Sequence, residues 1–235
     1  MTNFPITVDA ILHSPALADL NFSRARKTQF ARDVALVVSG IRLAYLVDAL
    51  PANVTMDYDR LLKSIPRADV RHVYEPIFQQ SFLVNELLFK QMMSSSYLPM
   101  FVSTSPLSIV SASSTVQHLL DTLATAFGQC ANRTVDLSSG SDESTMVALA
   151  GVLLEYPVAY VPCSTTPEAC VSLTVYHIQA ILQGLEGWVN IVSFSSPTKL
   201  SLTVDVEALR VRYQRRGALK VKVEQTVEVV DKLVL

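Results

Sequence analysis

Glycine is scarce in this chain, with 7 in 235 residues. Neither Gly-x-x-x-x-Gly-Lys nor Gly-x-Gly-x-x-Gly occurs, so both usual glycine-built phosphate cradles are excluded. Gly-x-Ser-x-Gly and His-Glu-x-x-His are missing too, which removes the nucleophile elbow of the α/β-hydrolases and the zinc-protease helix. The 3 cysteines do not make a disulfide framework. Cys163, Cys170 and His177 are evenly spaced, but seven strand residues would separate the last two by about 23 Å. They cannot share one zinc ion, and a fourth ligand is lacking. Charge is also sparse, at 17% of residues against about a quarter in most domains. The net charge of -2 offers no global attraction to nucleic acid or to an anionic membrane.

Long clean apolar runs are absent as well. The longest, 146–163, is broken by Glu155, Pro157 and Pro162, and a membrane span needs about 20 unbroken residues. The opening Met1-Thr-Asn-Phe-Pro-Ile has no basic segment leading into an apolar run. The expectation is an intracellular protein, cytoplasmic or nuclear, with no membrane contact. The sequons at Asn21, Asn53 and Asn132 then carry no glycan.

What is abundant is apolar side chain, 50% of the total. A chain of this length buries a sizeable core without staples, so the excess implies a very full core or a buried partner interface. Its densest block runs from Asp142 to Ser195. There an apolar helix passes through Tyr156-Pro157 into strand-like segments, because the residue before proline is pushed to extended geometry. Ala148, Ala150 and Gly151 would let that helix approach a sheet closely.

Elsewhere the pattern alternates. Helices are expected at 7–20 (bent at Pro15), 24–39 (with a start later than Arg24, since Arg24, Arg26 and Lys27 oppose the dipole), 57–65, 82–93, 115–127, 142 onward, and 205–216. Gly40, Gly128 and Gly217 are placed to end three of them. Strands are expected at 41–47, 68–74, 98–103, 133–137, 158–161 paired with 171–176, 188–194, and 219–230. The serine-rich 103–114 reads as a loop. The last strand, opening Leu-Lys-Val-Lys-Val-Glu, has one wet face and belongs at a sheet edge. Together these give one α/β domain over 1–235, a mixed sheet with parallel strands early and antiparallel strands late, and helices packed on it.

Polar residues gather at the ends of expected strands. Asp48 closes the first, Asp136 lies near the end of another, and Ser139, Ser141 and Asp142 precede a helix. Ligands of open α/β sheets sit outside the carboxyl ends of strands. Asp48 is therefore a candidate metal ligand, with Asp136 and Asp142 as catalytic helpers around a Mg²⁺-like ion and a phosphorylated or nucleotide substrate. Ser139 and Ser141 are candidate anion contacts, although Asp142 and Glu143 would repel a phosphate there. The bland reading is that Asp and Ser end strands and cap helices. Arg210, Arg212, Arg215 and Arg216, followed by Lys220 and Lys222, form the one basic run. It could meet phosphates or a partner, but it has a single interleaved aromatic, Tyr213, and acidic neighbours, so nucleic acid is disfavoured.

The segments Gly151-Val-Leu-Leu-Glu-Tyr-Pro-Val-Ala-Tyr160 and Cys170-Val-Ser-Leu-Thr-Val175, with Phe194-Ser195, Pro197 and Leu209-Arg-Val-Arg-Tyr213, resemble the human chromosome-1 open-reading-frame-74 protein family. The unit around Asp33 to Asp48 is also similar. The resemblance implies an intracellular protein of about this size with no assigned activity, and it supplies no catalytic residues. It also implies glycine before Tyr-Pro, where this chain has Glu155. Two functions follow as expectations. One is a non-enzymatic interaction or scaffold protein that meets a protein partner or a second copy of itself at the edge strand. The other is a metal-dependent enzyme centred on Asp48.

Overall fold

A computed structural model of the chain describes residues 4–48, 56–65, 69–95, 98–129, 133–137, 142–163, 169–200, 202 and 204–232. The chain is α/β, with parallel and antiparallel strand pairs, and divides into two compact units.

The first unit comprises Met1–Tyr97, Asp121–Ser139 and Gln183–Leu185. It begins with α1 (Phe4–Leu12) and α2 (Pro15–Ala18), so Pro15 opens a helix, where its missing N–H costs nothing. Helix α3 (Arg24–Val38) starts at Arg24 and not later. The Ser23 side chain accepts from the Arg26 N–H at 3.3 Å, and this cap holds the start despite the cations beside it. Phe30, Val34, Val37 and Val38 are buried, and Gly40 at φ 74° ends the helix. Strand β1 (Ala44–Leu46) follows, then α4 (Tyr58–Ser64), capped by Asp57.

The expected helix 82–93 is overturned in its first part. Residues Gln80–Asn85 are strand β3, hairpin partner of β2 (Val70–Glu75), and the helix α5 covers only Glu86–Ser94. The Glu75 carboxylate, 1% exposed, closes the hairpin by accepting from the N–H groups of Ile77 (3.0 Å) and Phe78 (2.7 Å). Asn85 then separates strand from helix. Its Oδ1 accepts from the Leu88 N–H while its Nδ2 donates to the Val37 carbonyl, both at 3.0 Å. The sheet is completed by β6 (Thr134–Asp136), parallel to β2, in the order β1-β3-β2-β6. Helix α6 (Ser114–Gln129) contributes Leu123 and Phe127 here, with Phe127 edge-on to Phe89 at 5.1 Å. It runs one residue beyond Gly128, so that glycine is not its stop.

The second unit comprises Leu98–Leu120, Gly140–Leu182 and Glu186–Leu235. Its strands β4 (Met100–Thr104) and β5 (Leu107–Val110) form a hairpin. The loop expected over 103–114 is corrected there: its few apolar residues were enough to pair with Phe101 to Thr104. Helix α7 (Glu143–Leu153) is buried on most sides, as its composition implied. Strand β7 (Val158–Val161) pairs parallel with β4. It does not pair with the next strand, β8 (Ala169–Ile181), which correction follows from β8 having two other partners. These are β9 (Val189–Pro197) and β10 (Lys220–Lys232), both antiparallel, in the order β10-β8-β9. A short 3-10 turn at Thr198–Leu200 and helix α8 (Val206–Arg215) lie between β9 and β10.

Val102, Val158, Tyr160, Val171 and Leu173 join the β4-β7 sheet to β8 in one apolar cluster, with Val230 of β10 against it. Each buried valine or leucine contributes about 1.5–3 kcal/mol over an exposed one. That anchoring holds β10 in place while most of its length stays open.

Candidate functional site

Strand β10 is the least covered regular element of the second unit. It pairs with β8 from Lys220↔Ile181 to Lys232↔Ala169, and among the described residues no strand pairs with its other edge. Thirteen residues make it more than twice the usual strand length. Glu224 to Val229 are exposed, with Val227 at 67% and Val229 at 70%. Proteins blunt such edges with lysine, proline, bulges or brevity. Here lysines stand only at the ends, Lys220 and Lys222 at one and Lys232 at the other, and Glu224 to Val230 contains no lysine and no proline.

Period two sorts the side chains. Val221, Val223, Gln225, Val227 and Val229 share one face, and Lys220, Lys222, Glu224, Thr226 and Glu228 the other. The Lys222 ammonium forms an ion pair with Glu224, and its hydrogen bond and charge hold that carboxyl below its usual range. A long edge with a valine row on one face and separated charges on the other can accept an extended segment through main-chain hydrogen bonds. The sequence located this edge correctly, because apolar and polar residues alternate strictly from Leu219 to Glu224.

The basic run does not make one patch. Arg216 donates two bonds to the Glu155 carboxylate, at 2.5 and 2.7 Å, and Arg212 Nη1 lies 3.9 Å from it. Arg210 lies 3.3 Å from Glu207, while Arg215 is exposed. Four residues along a helix bring Arg212 and Arg216 to the same side, and that side meets a buried acid. Glu155 itself sits past the end of α7 at φ 56°. The Tyr156 N–H reaches the Gly151 carbonyl at 3.0 Å, which makes this a Schellman-type stop with Glu155 in the left-handed place usually held by glycine.

The strand-end carboxylates are not gathered. Asp48 follows β1 and Asp136 lies in β6, the two edge strands of the four-stranded sheet. Three strand spacings separate those edges by about 14 Å, too far for one ion's coordination shell. Asp48 is exposed and accepts from the Tyr45 hydroxyl at 3.3 Å. Asp142, in the second unit, caps α7 by accepting from the Thr145 N–H at 2.7 Å. Hydrogen bonds from Thr145 hold its carboxyl low. Ser139 and Ser141 lie outside the described residues. Among the described residues, no group of three or more His, Cys, Asp or Glu is placed to hold a metal ion. Cys163 is an exposed thiol.

Sequence reasoning missed one polar cluster. His72 of β2 is 5% exposed, with Nε2 3.1 Å from the Ser81 hydroxyl and Nδ1 3.3 Å from that of Thr134. Thr134 donates onward to Asp59 at 3.1 Å, and the Tyr58 ring stacks on the imidazole at 3.9 Å. Burial pushes His72 down to about 4, with the Asp59 charge opposing in part. The arrangement looks like a base beside a hydroxyl. A base with that pKa is mismatched to neutral pH by about three units, however, and an effective one lies near the operating pH. Its ring atoms are both satisfied, so the cluster acts as polar core. The signal for it was the β2-β3 hairpin, hidden when 82–93 was read as helix.

These features define an α/β protein with a long, largely exposed strand at a sheet edge. The chain belongs to a family known by its domain of unknown function, DUF4504, which matches residues 18–222. No curated protein matches it, and no solved structure does. No helix among the described residues is long and apolar enough to cross a membrane.

Proposed function

We propose that this chain is a non-enzymatic interaction module, working inside the cell, that takes up an extended segment of a protein partner along β10. One observation carries the reading: a 13-residue strand paired on one side only, with Val227 and Val229 exposed at 67% and 70%. Strand addition supplies its affinity through main-chain bonds and its selectivity through alternate side chains. Pairing with β8 along one edge and the packing of Val230 on the apolar cluster hold β10 in place. Within its family we place the chain beside the human chromosome-1 open-reading-frame-74 proteins, on the resemblance of 146–197. The metal-assisted reading sets Asp136 or Asp142 beside Asp48, and the places of Asp48 and Asp136 at opposite edges of the sheet do not favour it.

Selection of random twelve-residue displayed peptides against the full chain tests the proposal. Peptides alternating apolar and polar residues should emerge. Their binding should protect the amides of β10 from hydrogen exchange, and it should be lost in Val227→Lys/Val229→Lys, whose substitutions sit in solvent. Selected peptides that leave β10 exchange unchanged would overturn it.

A further inference from the structure

We infer that the segment taken up by β10 is β10 of a second copy of this chain, paired antiparallel about a two-fold axis through Gln225. The inference rests on the strand-addition reading above and names its occupant. It is carried by the order of side chains along the strand, which is self-complementary in one register.

A two-fold normal to the sheet must pass through a residue, because directly opposed residues share a face. Only a few centres bury most of the exposed stretch. With the axis at Gln225, Val221 stands opposite Val229 and Val223 opposite Val227, each pair occurring twice. The valine row of one copy thus continues into that of the other. On the opposite face Lys222 stands beside Glu228 of the second copy, again twice, and Glu224 beside Thr226. Lys222 already holds Glu224 in its own strand, so its ammonium would lie between two carboxylates. No like charges are opposed.

An axis at Val223 sets Lys222 against Glu224 without repulsion, but it pairs only 220–226 of the strand and leaves Val227 and Val229 uncovered. The other neighbouring registers fail on the residues they oppose. An axis at Thr226 sets Glu224 against Glu228, and an axis at Glu224 sets that glutamate against its own copy. An axis at Val227 opposes Lys222 to Lys232, sets Val229 against Gln225 and Val223 against Asp231, and keeps only Val227 against its own copy. Like charges directly opposite are destabilising, and a shift of register changes every pair at once. The Gln225 register is therefore selected both by what it joins and by what the others oppose. It would also remove the exposed edge, joining β9-β8-β10 of two copies into one six-stranded sheet.

Sedimentation velocity of the full chain over a concentration series, with Lys222→Glu, Glu228→Lys and the double reversal, tests the register. The wild type should dimerise. Each single reversal should weaken the dimer about tenfold, since two cross-strand pairs become like-charged, and the double reversal should restore it to within about threefold. Gln225→Cys should give, on mild oxidation, a dimer linked 225 to 225, identified by peptide mass mapping because Cys163 is also an exposed thiol. A wild type that stays monomeric overturns the inference, as does a dimer indifferent to the charge reversals or one not linked through position 225. A monomer whose β10 still binds selected peptides would leave the strand-addition reading standing. A dimer with unprotected β10 amides, and no peptide binding there, would remove both.

Discussion

Glu155 sits in backbone geometry that favours glycine, at φ 56°, and is nearly buried at 6% exposure. Left-handed geometry costs a non-glycine residue roughly 1–2 kcal/mol. The compensation is the pair of bonds from Arg216, with Arg212 nearby. Removing one partner of a buried pair costs about 3–5 kcal/mol, because a charge is left without its counterion. The pairing term therefore exceeds the strain. Glu155→Gln should lower the urea unfolding free energy by about 3 kcal/mol, since the amide keeps a bond but loses the charge. Glu155→Gly relieves the strain and loses the pair, so it too should be less stable than the wild type. A glycine variant more stable than the wild type would mean that the arginines contribute little. The departure from glycine at 155 was visible only through the resemblance of this segment to a known family. Its partners were not, because 61 residues separate Glu155 from Arg216 and no local pattern reports such a pairing.

Among elements, helix α7 and strand β7 show how closely composition can dictate packing. A Cβ placed on Gly151 would lie 2.7 Å from the Ala159 Cβ and 3.0 Å from its Cα. The neighbour is backbone and a short rigid side chain, so it cannot swing away. Gly151→Ala should cost about 1–3 kcal/mol through overpacking, read as a lowered urea midpoint, and Ala159→Gly on that background should recover most of it. A neutral Gly151→Ala would show that α7 shifts freely on the sheet. The small residues of α7 made this closeness visible in advance, as the alternation from Leu219 did for β10. Residues 82–85 were different. Phe82, Leu83 and Val84 are all buried, and a short continuous apolar run fits buried strand and helix alike. What decides is the β2 pairing and the Asn85 cap, the first a non-local contact and the second a polar signal easily lost before Glu86. With β3 unread, the His72 cluster across from it could not be read either.

Across the whole molecule, the fold class was legible because it depends on the alternation of apolar segments, which many residues report together. The division of the described strands into three sheets was not, since strand partnership is set by long-range pairing. The same burial that assembled the first unit makes its stability depend on pH through His72. Folding moves this group from its ordinary 6.5 down to about 4, since the buried ring resists charge. Between those values the unfolded chain binds a proton that the folded chain refuses, so stability rises with pH. The contribution is complete above pH 6.5 and is lost as the pH falls toward 4, in all about 3 kcal/mol with a limiting slope of about 1.4 kcal/mol per pH unit. Glu86 acts in a separate window. Partial burial pushes its carboxyl up, but hydrogen bonds and charges from Lys90 and Arg71 outweigh that and hold it below 4.5. Its share therefore persists above 4.5 and disappears only at more acid pH. Urea unfolding at pH 7.0, 6.0 and 5.0 stays clear of the Glu86 window, and His72→Gln keeps a polar group between Ser81 and Thr134 while removing the titration. The wild type should lose stability steadily over that range, and the difference between wild type and variant should shrink toward acid pH. A difference that stays constant from pH 7.0 to 5.0 would show that His72 accepts its proton as readily folded as unfolded.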